Sequence, residues 1–106
     1  MGFEQYHEPA NELSEQTRTF ARMAVSLGEE ADAINWYEQR MSVEKDPAAK
    51  AIMEDAQEEE FKHFGMALEY LARQKPKWKA TLQKILFQSG DLVTLGKKGE
   101  EAAEGS

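Results

Sequence analysis

The sequence predicts an all-α chain, an antiparallel two-helix hairpin followed by a short C-terminal helix. Three observations carry this. Apolar residues recur at three–four spacing through two long segments. Asp46-Pro47 and Lys75-Pro76 punctuate the chain where helices start and stop. No segment alternates apolar and polar residues with the period of two that a strand requires.

Residues 1–12 are expected to form a loosely ordered arm broken at Pro9, and residues 13–95 the helical hairpin domain with its short third helix. Ser14, with Thr17 and Arg18 behind it, is a helix start; Leu13, Phe20, Met23, Leu27, Ile34, Tyr37 and Met41 then mark one stripe. A helix from Ser14 to Met41 would extend about 40 Å. Asp46 is the expected N-cap of the second helix and Pro47 its first residue, a position where a missing N–H is harmless. That helix runs to about Gln74, where Lys75-Pro76 ends it. The short connection Ser42–Lys45 forces the two long helices to lie antiparallel. A third helix is expected from Pro76 to about Phe87, with Ser89-Gly90 breaking it and one further turn from Asp91 to Leu95. Residues 96–106 lack apolar periodicity and are expected to be a disordered tail.

Composition narrows the function. With 13 Lys+Arg against 20 Asp+Glu the formal charge is −7 over 106 residues, which argues against nucleic acid or an anionic membrane surface as partner and suits a protein that handles cations. The absence of cysteine excludes disulfides, thiolate zinc sites and iron–sulfur clusters, and permits a cytosolic setting. No apolar run approaches the ~20 residues that span a bilayer. Met1–Pro9 carries acids where a secretory signal has a basic and then an apolar region. So small a chain buries little of its surface alone, and self-association is expected.

The chemistry lies in interruptions of the apolar stripes. Glu30 falls in the seam of the first helix, between Leu27 and Ile34. Glu60 and His63 fall in the seam of the second, between Ala56 and Ala67. An ionised carboxylate among Leu and Met must be neutralised, paired or bound to metal. Glu60-Phe61-Lys62-His63 is a Glu-x-x-His motif, whose ends share a helix face and converge on one cation. Ferritin-like di-iron bundles take one Glu from each of two helices and one Glu-x-x-His from each of two others. This chain carries half of that set. Twofold pairing of two hairpins would complete a ferritin-like four-helix bundle, and four carboxylates would balance two Fe²⁺. Oxygen ligands with neutral imidazole suit iron; manganese fits the same set, and zinc would bind without turning over.

Blander readings stand beside this one. A lone Glu-x-x-His arises by chance on acidic helices, and Glu58-Glu59-Glu60 could be a solvated face, with Glu59 a geometric rival of Glu60 for His63. Glu29, Glu30 and Asp32 could be surface acids, Trp36 and Tyr37 hairpin packing, and His7 an exposed terminal histidine. Met23, Met41, Met53 and Met66 read as core filler. The joint pattern, with both motifs in register on adjacent helices and each inside an apolar seam, favours the metal.

The sequence resembles the encapsulated ferritins, ferritin-like cargo of encapsulin nanocompartments. The resemblance rests on His7-Glu8-Pro9, on the run from Glu29 to Arg40 that contains Trp36-Tyr37-Glu38-Gln39-Arg40, on Glu59–His63 and Met66–Leu71, and on Leu86-Phe87. It covers roughly residues 7–95. It implies a ferroxidase whose di-iron centre forms between two subunits, with five dimers in an open decameric ring in the cytoplasm, inside a shell that stores the mineral. Carried across, the ligands are Glu30, Glu60 and His63 of each chain, and Trp36 and Tyr37 line the site. Glu29 and Asp32 match acids of a second metal site where Fe²⁺ collects before oxidation; Asp32 stands where Glu is commoner and is one methylene shorter. Family members dock in the shell through a C-terminal peptide rich in Gly, Leu and Ile, whereas Gly99–Ser106 is rich in Glu and Ala. Two rivals remain from the sequence. One is a peroxide-reducing, rubrerythrin-like di-metal enzyme and the other a non-catalytic helical adaptor; O₂ against H₂O₂ turnover and iron-dependent oligomer size separate them.

Overall fold

The computed structural model describes residues 6–105. Positions 1–5 of the expected N-terminal arm lie outside the described residues. After a single 3₁₀ turn at Ala10–Glu12 come four α-helices: α1 (Glu15–Val43), α2 (Pro47–Gln74), α3 (Pro76–Ile85) and α4 (Leu92–Glu104). The described residues contain no strand. No described helix is long and apolar enough to cross a membrane.

The capping residues act as their chemistry dictates. Ser14 Oγ accepts from the Thr17 N–H at 3.0 Å and starts α1. Glu44 ends α1, and its carboxylate accepts from the N–H groups of Lys45 and Asp46 at 3.1 and 3.0 Å, which folds the connection back on itself. Asp46 Oδ2 then accepts from the Ala49 N–H at 2.9 Å and opens α2. Pro47 and Pro76 stand at the first positions of α2 and α3. The third helix is shorter than its stripe implies: it stops at Ile85, Leu86 caps it, and Phe87 turns left-handed at φ 62°.

The chain divides into two compact units, residues 1–68 and 69–106. In the first, α1 and α2 are antiparallel: His63 faces Glu30, whereas the earlier Gln57 faces the later Ile34 and Glu38. Among the described residues up to Leu68 only Met41, Gln57 and Ala67 are buried; the other buried residues of α2, Leu71 and Ala72, belong to the second unit. Trp36, Ile52, Phe61 and Met66 are each more than half exposed, so two helices alone do not enclose their own apolar faces.

The second unit corrects one expectation. Composition predicts a disordered tail over residues 96–106, yet helix continues from Leu92 to Glu104. Asp91 caps it, its carboxylate accepting from the Thr94 N–H and hydroxyl, both at 3.0 Å. Leu95 and Gly99, one turn apart, are buried, and α4 packs on α3. A glycine that makes the segment look like linker has a packing role. A Cβ on Gly99 would lie 2.8 Å from the Thr81 carbonyl oxygen, closer than real contacts allow, so only glycine admits this approach.

Gly99→Ala is therefore expected to push α4 off α3 and to destabilise the protein by about 1–3 kcal/mol. Thermal unfolding checks this; an unchanged midpoint would show that the crossing is loose enough to admit a methyl group.

Candidate metal centre

Glu30 lies midway along α1 and Glu60 and His63 one turn apart on α2, all within the first unit. Their antiparallel packing brings one ligand atom from each within 4.8 Å of the other two, and no other such group of three occurs among the described residues. His63 Nδ1 is 3.5 Å from Glu60 Oε1 and 3.8 Å from Glu30 Oε2. Neither distance is that of a good hydrogen bond. Both are close to the spacing of two donors that hold one ion: bonds of about 2.1 Å opened to about 110° separate their ends by roughly 3.4 Å.

Electrostatics agree with the geometry. Glu30 holds its proton above the usual carboxylate range. The largest cause is the Glu60 carboxyl, which shares a hydrogen bond with it; partial burial and the negative charge of Glu60 add to the effect, His63 opposes it, and Glu29 adds a little. Two carboxylates this close need a proton or a cation between them. Two acid oxygens and one imidazole nitrogen fit Fe²⁺, a cation that accepts both donor types.

The three side chains are half-buried: Glu30 and Glu60 keep 23% and 21% of their side-chain exposure, His63 42%. The apolar seam predicts deeper burial, but a hairpin covers them from two sides only. The rivalry between Glu59 and Glu60 resolves plainly. Glu59 turns outward and pairs with Lys62 at 2.9 Å, which holds its carboxyl below the usual range, while Glu60 faces His63. Glu29 is exposed and Asp32 half-buried, and neither belongs to the three-donor cluster. Trp36 is 52% exposed. Tyr37 is half-buried, and the Arg40 guanidinium lies 5.2 Å from its ring centroid. His7 is exposed.

Gln57 is not among the residues that the motif and its spacing single out. It is a buried polar side chain one turn before Glu60, and its amide donates to the Ile34 carbonyl at 3.2 Å and to Glu38 Oε1 at 3.0 Å. A signal is present: Met53, Gln57, Glu60 and Phe64 continue a four–three stripe that turns polar one helical turn before the motif.

A helical hairpin with a carboxylate on one helix of its seam and Glu-x-x-His on the other belongs to the ferritin-like class. Comparison with known proteins narrows the class. The chain belongs to the EncFtn-like family, whose profile matches residues 5–89. It is 39% identical over 103 residues to a ferritin-like protein of Thermotoga maritima, covering 97% of this chain and 88% of the other. To an encapsulated ferritin-like protein of Rhodospirillum rubrum it is 38% identical over 100 residues, or 94% of this chain and 71% of that one. A crystal structure of a protein from Nitrosomonas europaea superposes with a TM-score of 0.80 at 37% identity, spanning 84% of this chain and 98% of that one.

The raised proton affinity of Glu30 gives a signed expectation for the metal-free protein. The folded state gains from the Glu30 proton; that gain is whole below the ordinary carboxylate value and is lost as pH rises through the raised one. Glu30→Gln removes the repulsion, so its thermal midpoint should exceed wild type near neutral pH and converge with it in acid. Equal midpoints across that range would mean that the two carboxylates do not confront each other.

Proposed function

We propose that this protein is a ferroxidase whose working site forms when two chains pair, each giving Glu30, Glu60 and His63. The observation that carries the reading is the confrontation of Glu30 with Glu60 beside an imidazole, an arrangement that a divalent cation relieves. Two hairpins related by a twofold axis bring four carboxylates to two Fe²⁺, and the charges balance. The apolar side chains exposed on the hairpin, among them Trp36, Phe61 and Met66, supply a face for the second copy.

Fe²⁺ is the substrate. Two ions give one electron each to O₂, which takes two protons and leaves as H₂O₂ while two Fe³⁺ are formed. The carboxylates favour the product because a harder, more highly charged ion gains more from anionic oxygen donors than Fe²⁺ does. Holding two ions together lets both electrons pass to one O₂ and avoids release of superoxide. Glu29 and Asp32, on the same helix as Glu30, form the place where Fe²⁺ collects. Trp36 and Tyr37 line the oxidation site. The similarity to an encapsulated ferritin-like protein supports delivery of Fe³⁺ to an encapsulin shell for storage, and the proposed assembly is a decameric ring of five pairs.

The test is oxidation of Fe²⁺ by O₂, followed by the appearance of Fe³⁺. Glu30→Ala, Glu60→Ala and His63→Ala should each slow the initial rate at least about tenfold, since even residues behind the ligands of a metal site cost that much. Wild-type protein should also grow in size when Fe²⁺ is added without oxygen. A rate unchanged in all three variants would leave a structural adaptor, and faster turnover with H₂O₂ than with O₂ would assign the site to peroxide reduction.

A further inference from the structure

Polar side chains are rarely buried between two helices without a purpose, and Gln57 is the buried polar side chain of this fold among the described residues. Its amide nitrogen has two hydrogens, and each meets an acceptor on the other helix, the Ile34 carbonyl at 3.2 Å and the Glu38 carboxylate at 3.0 Å. Both acceptors lie on α1 just beyond Glu30, and Gln57 lies on α2 one turn before Glu60.

The hairpin needs such a link. The Glu44–Asp46 connection sets the register of α1 against α2 at one end only, and Glu30 stands about 20 Å along α1 from it. Over that distance the seam is only half-buried, so its apolar contacts hold the two helices less firmly than a closed core would. A slip of a fraction of a turn would carry Glu30 away from His63. Directional bonds from one buried amide to a backbone carbonyl and a carboxylate of the other helix resist that slip, as a single buried Asn does in coiled coils.

We propose that Gln57 is a positioning residue that fixes the α1–α2 register and so holds Glu30 opposite Glu60 and His63; for metal binding this rests on the function proposed above. Gln57 is not one of the three converging donors. Leucine at this position would fill the space without the link. Because Glu38 is exposed and can turn to water, the substitution should leave stability near or above wild type. That outcome separates positioning from support of the fold.

Two readouts test this on the full chain. The protein has no native cysteine, so spin labels on cysteines placed at exposed Arg22 and Lys50 report sliding of the helices without any metal. Wild type should give one narrow distance, and Gln57→Leu a distribution broadened or shifted by several Å, a sizeable part of the ~5.4 Å of one helical turn. Titration with Co²⁺ should show affinity about tenfold weaker in Gln57→Leu. Should Gln57→Leu fail to fold, Glu38→Leu at its exposed position removes the charged half of the link, and Glu38→Gln, which keeps an acceptor oxygen, should restore both readouts. An unchanged spin-label distance overturns the proposal whatever the metal does. A distance that depends on Gln57 in a protein that binds no Co²⁺ upholds it and overturns the metal site instead.

Discussion

The confrontation of Glu30 and Glu60 governs this structure. The two stand on facing helices, and the hydrogen bond that the Glu60 carboxyl shares with Glu30 raises the proton affinity of Glu30, with partial burial and charge repulsion adding to it. A fold seldom keeps such a pair in an apolar seam for stability, since apolar residues of like volume would pack as well or better. The proposed function gives the pair a reason, a cation between its members, and His63 turns its Nδ1 toward both.

The rest of the hairpin follows from the need to hold that pair on two straight rods. Both long helices run without proline in their interiors, and each starts on a side-chain cap. The short connection Glu44–Asp46, held by the Glu44 carboxylate, reverses the chain between them. Within residues 15–68, however, little is buried. Burial of apolar surface dominates folding, so a hairpin with this much exposed apolar surface gains more from a second copy than most small domains do. In the function proposed above, that same pairing completes the ligand set of a ferritin-like centre, so assembly and chemistry share one cause.

Much of this is legible in the residues. Both long helices and their caps follow from Ser14, Asp46, Pro47 and Pro76, whose effects are local and strong. Glu30, Glu60 and His63 stand out because each breaks an apolar stripe, and a polar residue in a seam is a signal that sequence preserves. Glu59 and Glu60 are both within reach of His63 by spacing; in the fold Glu59 turns outward to Lys62 and Glu60 faces His63. The helix from Leu92 is hidden for another reason. Glycine reads as linker in composition, and its value at Gly99 depends on Thr81, a residue far back in the chain. Gln57 also interrupts its stripe, but it belongs to no ligand motif, and its partners, a carbonyl and an exposed acid on the other helix, leave no mark in the sequence.

The most direct measurement is a crystal structure of the protein soaked with Fe²⁺ without oxygen, with anomalous scattering at the iron edge. Two iron peaks are expected across a twofold axis between copies, each in contact with Glu30, Glu60 or His63 side chains of both. Glu30, Glu60 and His63 turned to open solvent, with no iron among them, would contradict a shared metal centre.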